Sequence, residues 1–518
     1  MILNNWLQDV RFELLQGSTD AEVSEVVYDS RKAGPGAVFV CMKGANVDSH
    51  DFCAQVYEAG TRVFLVEHAV SLPEDAVILK VENGREALAL LSAARFDYPA
   101  RKMVTIGVTG TKGKTTTTHM IKAILEAAGK KVGMIGTNGA YFAGVAEPTR
   151  NTTPESYQLH QYFSRMVEAG CEYMVMEVSS QAFKMHRTDG ILFDYGIFTN
   201  ISNDHIGPNE HADFAEYLMY KAMIFKQSRI GIADKDDAHF AEVTADAACP
   251  VYSYGLKDGD ADSGAAGKDA AEDGTDAAGG SADAAEDGTA ADFCAERIRY
   301  VSEPGFVGLE FDVTGRYEAD VRVNIPGRFN VSNALAAVSV CSFLGLPKDR
   351  ICHGLEHIYV NGRMEIAYAS EDCKVIIDYA HNAVSMESLL KTLRNYNPKR
   401  LVVVFGCGGN RSKDRRYSMG EMAGRMADLS IITADNSRFE KVEDIIQDIK
   451  STLIPTGGAY LEIPDRREAI TYAITHAQKG DMIAIIGKGH EDYQEVNGVR
   501  THFLDREVVD EVVAEWRV

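Results

Sequence analysis

The chain has 518 residues, of which 45% are hydrophobic and 25% charged, the composition of a soluble globular protein too long for a single core, so about three domains are expected. Its formal net charge of −23 argues against nucleic acid or an anionic membrane as the main partner. It contains no apolar run of the roughly eighteen residues a membrane-spanning helix needs, and Met1–Gly17 mixes polar residues with Asp9 and Glu13, unlike an export signal, so a cytoplasmic location is expected.

Ala37–Met42 and Val63–Glu67 read as short apolar strands, with a helix over Phe52–Ala59 between them. Val104–Val108 and Met174–Glu177 are compact buried-strand patterns, and Lys374–Ile377, Leu401–Phe405, Leu429–Ile432 and Met482–Ile486 repeat the rhythm towards the C-terminus. Such runs, alternating with amphipathic helical stretches, indicate an α/β fold of parallel sheets covered by helices, although periodicity alone does not separate a short strand from a buried helix.

Residues 257–292 break the pattern. They are almost wholly Ala, Gly, Asp, Glu, Ser and Thr, with AAEDGT at both Ala270–Thr275 and Ala284–Thr289. Too little apolar surface is present to offset ordering entropy, which predicts a disordered acidic insertion in a surface loop; an interaction tail is the alternative. The nine cysteines are scattered singly, without a C-x-x-C pair. An odd, unpaired set points to reduced thiols, with a thiol nucleophile as the lesser alternative.

The strongest chemical signal follows the strand ending at Val108. Gly110–Thr111–Lys112–Gly113–Lys114–Thr115–Thr116 places two glycines in a loop, then Lys-Thr at the start of a helix expected to run to Ala128. Against G-x-x-x-x-G-K-[ST] the first position falls on Val108, and Gly107 lies one residue too far away. The strand–loop–helix context is nevertheless the one a phosphate loop requires. Backbone N–H groups can converge on phosphate there, and the helix dipole favours the anion. Lys114 would hold the β- and γ-phosphates, and Thr115 a Mg²⁺ ion. Glu177 ends a predicted parallel strand, which suits a metal-binding carboxylate, although an isolated glutamate is more often solvated surface. A D-S-R loop at Asp29–Arg31 is explained equally well by an Asp-capped turn, and Asn330 and Asn333, three residues apart, share a helical face unless Asn330 only caps the helix.

G-T-K-G-K-T-T-T resembles the ATP loop of the Mur ligase family, and further segments follow in the family's order. They are Glu177–Val178–Ser179–Ser180, Thr199–Asn200–Ile201–Ser202–Asn203–Asp204–His205, Pro326–Ala334, Gly362–Arg363–Met364–Glu365 and Asp378–Tyr379–Ala380–His381. The resemblance is closest to the MurE branch, the UDP-N-acetylmuramoyl-tripeptide synthetases. It implies a UDP-binding α/β module at 1–98, a central P-loop ATPase domain with a parallel sheet at 99–361, and a Rossmann-like α/β domain at 362–518.

By the same resemblance Lys114, Glu177, His205 and Lys221 are catalytic. Thr115, Glu177, His205 and Lys221, the last as an N6-carboxylysine made with CO₂, are implied to hold Mg²⁺. ATP contacts are implied for Gly110–Thr116, Asn330, Asn333, Arg363 and Asp378, and muramoyl contacts for Ser30, Thr152, Thr153, Ser179 and Arg187. Met185 stands where glutamine is usual, and D-Y-A-H-N-A lacks the usual proline, which leaves the local turn open.

Arg411, Asp435, Asn436, Arg438, Gly487 and Glu491 lie in segments resembling those that bind meso-diaminopimelate. An acid with two arginines suits a distal ammonium and carboxylate; L-lysine would leave the arginines without a partner. The implied activity is an ATP-dependent ligase joining a diamino acid to UDP-N-acetylmuramoyl-L-alanyl-D-glutamate through an acyl phosphate, with ATP and Mg²⁺ and, as a monomer, only small-molecule partners. An L-lysine-adding enzyme, a folylpolyglutamate synthetase-like ligase and a non-catalytic nucleotide-binding homologue are the alternatives.

Overall fold

The computed structural model describes residues 1–44, 47–204, 206–207, 210–257 and 290–516. The chain divides into two compact units, one formed by Met1–Gly255 with Ala336–Pro347, the other by Leu256–Leu335 with Lys348–Val518.

The first unit opens with strands β1 (Glu13–Gln16), β2 (Glu25–Val27), β3 (Ala37–Val40), β4 (Val63–Val66) and β5 (Val77–Lys80), ordered β1-β5-β4-β3-β2 in one sheet. β2 to β5 are parallel and β1 is antiparallel to β5. Every residue of β3 and β4 is buried, which is why both read as unbroken apolar runs. The helix expected over Phe52–Ala59 is a 3₁₀ turn, Ser49–Phe52, running into an α-helix, Cys53–Glu58.

A second set follows: β6 (Val104–Thr109), β7 (Val132–Gly136), β8 (Gly139–Phe142), β9 (Val145–Glu147), β10 (Tyr173–Glu177), β11 (Phe193–Phe198), β12 (Ser228–Asp234) and β13 (Val251–Leu256). Their order is β13-β12-β11-β6-β10-β7-β8-β9. β13 to β7 run parallel, and β8 and β9 continue as an antiparallel extension. β6 therefore lies between β10 and β11, so the loops leaving all three strands emerge at one edge of the sheet.

The second unit carries an antiparallel ribbon of β14 (Phe293–Glu303), β15 (Phe306–Gly315) and β16 (Ala319–Val323). A further sheet contains β17 (Glu365–Ala369), β18 (Cys373–Asp378), β19 (Arg400–Phe405), β20 (Leu429–Ile432), β21 (Tyr460–Glu462) and β22 (Asp481–Ile486), ordered β17-β18-β22-β19-β20-β21. Only β17 is antiparallel. A hairpin of β23 (Tyr493–Val496) and β24 (Val499–His502) follows. All the strands read from the sequence are present, with ends shifted by a residue or two. Of the acidic stretch, residues 258–289 lie outside the described residues. No helix among the described residues is long and apolar enough to cross a membrane.

Candidate active site

The loop between β6 and the helix Lys114–Ala127 holds Gly110 at φ +151° and Gly113 at φ +85°. A Cβ on Gly110 would lie 1.9 Å from Thr199 Oγ1, so only glycine fits. The segment after β11 straps this loop down. Thr199 donates its hydroxyl to the Lys112 carbonyl (2.7 Å), and Asn200 both accepts from Lys112 N (2.9 Å) and donates to its carbonyl (3.1 Å). Thr111 N donates to Asn200 O (2.8 Å), and Thr111 Oγ1 accepts from Ser202 N (3.0 Å). Lys114 Nζ lies back along the loop, donating to Gly110 O (2.7 Å) and Thr111 O (3.0 Å). Thr116 follows Thr115 on the first helical turn and is half-buried.

Glu177, at the end of β10, is 1% exposed. Its Oε1 accepts from Thr115 Oγ1 (3.0 Å) and Thr137 N (2.9 Å), and its Oε2 from Thr137 Oγ1 (3.1 Å). A Cβ on Gly136 would come 2.3 Å from Oε1, so the carboxylate occupies the space left by that glycine. Thr137 Oγ1 also lies 3.1 Å from Thr152 Oγ1. Thr153 donates its hydroxyl to the Glu177 carbonyl (2.9 Å) and accepts from Ser179 N (3.1 Å), while Ser179 Oγ caps the next helix through Ala182 N (3.2 Å). Arg187 donates to Thr153 O (3.1 Å) and pairs with Glu155 (2.7 Å). Thr152, Thr153, Ser179 and Arg187 are thus gathered beside the phosphate loop.

Lys221 is 2% exposed on the helix Phe214–Lys226, its Nζ 4.7 Å from the Tyr217 ring centre. Burial, reinforced by the charge of Lys114, pushes its pKa well below the usual lysine range. Tyr217 ties this helix to the loop, its hydroxyl 3.0 Å from Thr111 Oγ1. His205 lies outside the described residues.

Asp29 caps a 3₁₀ turn, Ser30–Lys32, just after β2, accepting from Arg31 N (3.1 Å) and pairing with its guanidinium (2.8 Å). The Arg31 hydrogen bond lowers the Asp29 pKa to about 2. The D-S-R segment is therefore the Asp-capped turn weighed above, and it carries Ser30. Nearby, Asp48, His50 and His68 cluster at metal-ligand spacing. His50 Nε2 accepts from Glu67 N (2.9 Å), so Nδ1 carries the proton and donates to Asp48 (2.5 Å). A metal on Nδ1 would put a proton on Nε2, against that amide; the cluster fixes a tautomer instead.

In the second unit the relevant loops leave the C-terminal ends of β18, β22, β19 and β20. Asp378, ending β18, accepts from Met364 N and Ala380 N (both 2.8 Å), and burial raises its pKa. The guanidinium of Arg363 sits 5.3 Å from the Tyr379 ring centre. Tyr379 donates its hydroxyl to Glu491 Oε1 (3.2 Å), and Asn436 donates its amide to Oε2 (2.8 Å). Arg438, at φ +51°, donates to Gly409 O (2.6 Å). A Cβ on Gly408 would lie 3.4 Å from Arg438 Nη1 and 3.9 Å from Arg411 Cγ, so both arginines converge on that glycine. Gly487, at φ +111°, lets Asp435 approach: Oδ2 would lie 2.7 Å from its Cβ. Lys488, fully buried, donates to Tyr493 O and so holds the β23–β24 hairpin.

The missing proline of D-Y-A-H-N-A has a local answer. Asn382 Oδ1 accepts from Ser385 N (2.9 Å) and caps the helix Ala383–Arg394, leaving Ala383 at the first helical position. An unpaired N–H is normal there, so alanine does without the ring. Asn330 and Asn333 lie buried on the helix Phe329–Phe343; Asn330 donates to Pro326 O (2.7 Å) and Asn333 to Asn330 Oδ1 (2.9 Å). Asn330 thus sits within the helix and not at its cap.

Three family models match the chain: "Mur ligase family, catalytic domain" over residues 22–96, "Mur ligase middle domain" over 108–341, and "Mur ligase, glutamate ligase domain" over 362–489. The UDP-N-acetylmuramoyl-L-alanyl-D-glutamate–2,6-diaminopimelate ligase 1 of Clostridium acetobutylicum is 36% identical over 99% of this chain and 100% of its own length.

The chain belongs to the Mur ligase family.

The corresponding 2,6-diaminopimelate ligase of Clostridium perfringens is 37% identical over 99% of both chains. A solved structure of such a diaminopimelate ligase superimposes with a TM-score of 0.73 at 25% identity, covering 98% of each chain. In this Mur ligase, sequence reasoning gave no role to Thr137, Thr199, Asn200 or Tyr379. Thr199, Asn200 and Tyr379 lie inside recognised segments, which was the available signal. Thr137 sits in a plain G-T-N-G turn that carries none.

Proposed function

We propose that this Mur ligase joins meso-diaminopimelate to UDP-N-acetylmuramoyl-L-alanyl-D-glutamate at the expense of ATP, in the cytoplasm and as a monomer. The observation that carries the choice of amino acid is the grouping of Glu491, held by Asn436 and Tyr379, with Arg438 and Arg411 at one edge of a parallel sheet. An acid for the distal ammonium and guanidinium donors for the distal carboxylate match diaminopimelate; lysine has no such carboxylate. The names of the relatives support the same reading. Segment boundaries at 1–98, 99–361 and 362–518 divide UDP, ATP and amino-acid binding.

ATP phosphorylates the D-glutamyl side-chain carboxylate. The amine attacks the acyl phosphate, and the tetrahedral intermediate expels phosphate. The loop amides of Gly110–Thr115 and Lys114 Nζ take up the phosphate charge, Lys114 exchanging its loop carbonyls for phosphate oxygens. Asn330, Asn333, Arg363 and Asp378 contact the nucleotide. Thr152, Thr153, Ser179 and Arg187 hold the muramoyl dipeptide, and Ser30 the uridine diphosphate end.

Glu177 is a buried carboxylate whose partners here are neutral donors from Thr115 and Thr137, a setting that favours a cation. Thr115, Glu177, His205 and Lys221 as its carbamate would hold Mg²⁺, which would supply positive charge to neutralise the phosphoryl group. The depressed pKa of Lys221 supplies the neutral amine that adds to CO₂, with loss of one proton, to give that carbamate.

The test is phosphate release from ATP with the muramoyl dipeptide, comparing meso-diaminopimelate with L-lysine. Release that needs the dipeptide and is faster with diaminopimelate supports the proposal. Preference for lysine discards the arginine reading, and no release with either discards the ligase.

A further inference from the structure

We propose that Glu365 is a positioning residue for Arg363: with Asp378 it holds the backbone N–H groups of the residues on either side of that arginine, and Arg506 near the C-terminus locks the clamp. The proposal rests on the reading of Arg363 as a nucleotide contact.

Glu365 opens β17 with its side chain 1% exposed. Its Oε2 accepts from Gly362 N (2.8 Å); its Oε1 accepts from the Tyr359 hydroxyl (3.1 Å) and from Arg506 Nη1 (3.0 Å). On the other side of Arg363, Met364 N donates to Asp378 Oδ2 (2.8 Å). The residues immediately before and after Arg363 are therefore each held by a carboxylate, that of Glu365 buried and that of Asp378 half-buried.

The backbone between them adopts a conformation that needs holding. Gly362 has φ +65° and Met364 φ +46°, and left-handed backbone at a side-chain-bearing residue persists only where its surroundings impose it. A Cβ on Gly362 would meet His490 N at 2.2 Å and Gly489 C at 2.5 Å, so the turn is pressed against the segment that carries Glu491. Arg363 N closes the turn onto Val360 O (3.2 Å). The arginine's own Nε is buried without a hydrogen-bond partner among the described residues. Its aim is thus set by the backbone and by the Tyr379 ring.

Arg506 lies 141 residues from Glu365 on the helix Asp505–Trp516, where Asp510 fixes its Nε (2.9 Å). That helix is thereby coupled to the arginine turn. A guanidinium misplaced by about an ångström loses much of its hold on the nucleotide it contacts.

The experiment varies ATP, muramoyl dipeptide and diamino acid separately in phosphate-release kinetics on the full chain, for wild type, Arg363→Ala, Glu365→Gln, Tyr359→Phe and Arg506→Gln, with a melting curve for each. Arg363→Ala and Glu365→Gln are expected to raise KM for ATP by about tenfold or more, leaving the other two KM values within about twofold. Tyr359→Phe and Arg506→Gln should shift the same constant by about two- to fivefold, and they carry the test if Glu365→Gln does not fold. An ATP KM raised by Arg363→Ala but unmoved by the clamp variants overturns the positioning role alone, as does an equal rise in all three KM values. An ATP KM unmoved by Arg363→Ala overturns the nucleotide reading, and the positioning role with it.

Discussion

The hydroxyl of Thr115 donates to Oε1 of Glu177 across 3.0 Å, joining residues 62 apart in sequence. One is the last residue of the phosphate loop signature and the other the last residue of the neighbouring parallel strand. The pair brings hydroxyl and carboxylate oxygens together where the proposed function puts the transferring phosphate and its metal, and Thr137 holds the carboxylate from the opposite side.

Glu177→Gln keeps the shape but puts an amide donor opposite the Thr137 donors. Phosphate release should fall by about 100-fold or more with little change in melting temperature. Thr137→Ala should cost less, about tenfold, because one backbone donor to Glu177 survives. Wild-type turnover in the Glu177→Gln enzyme would remove Glu177 from the chemistry.

Lys221 should carry CO₂. With its ammonium disfavoured by burial and by Lys114, the neutral amine is available at lower pH than for an exposed lysine, and raising the pH increases it further. Enzyme stripped of CO₂ should lose activity, most readily on the acid side, and regain it with bicarbonate. Labelled bicarbonate should give a carbamate carbon resonance that disappears in Lys221→Ala. Full activity of Lys221→Ala would sink the assignment.

Arg438→Ala and Arg411→Ala should each lower kcat/KM for diaminopimelate, by about 30- to 100-fold for Arg438, which is half-buried and hydrogen-bonded to Gly409, and by less for exposed Arg411. L-Lysine, lacking the second carboxylate, should be affected much less. Equal losses for the two amino acids would mean that neither arginine reads that carboxylate.

Asp234, ending β12, has its pKa raised to about 8 by burial and then by Asp236. The folded protein holds this proton where the unfolded chain, near 3.8, has released it, so this group's stability penalty grows as pH rises from about 4 to about 8 and is constant above. Asp234→Asn keeps the acceptor for Asp236 N (3.0 Å) without the charge. It should therefore melt higher than wild type, with a larger margin at pH 8.5 than at pH 5.5; a margin independent of pH would show that Asp234 does not titrate in this range.

Contiguous features were legible in the sequence because their physics is local. Gly110 to Thr115 make a loop through glycine torsions and a helix start, and the fully buried runs of β3, β4 and β22, with Leu401–Phe405 of β19, announce parallel strands without any knowledge of neighbours. Arg363, Asp378, Arg411 and Glu491 could be named only through the family resemblance, since an isolated arginine or acid carries no pattern of its own. Asn382 shows the limit of that approach: the absent proline was noticed, but the cap that replaces it shows only in the hydrogen bond to Ser385.

The sequence by itself determined the α/β class, the glycine loop that opens the helix at Lys114 and the kinds of side chain available there, because torsional preference, hydrophobic period and residue chemistry are properties of short segments. Only the tertiary structure decided which of them meet. Strand order sets β6 between β10 and β11 and so delivers Glu177, Thr199 and Asn200 to one loop. Burial on folding depresses the pKa of Lys221, and chain return over 141 residues brings Arg506 to Glu365. Hydrogen bonds and desolvation act over a few ångströms of space, and sequence separation does not register that distance.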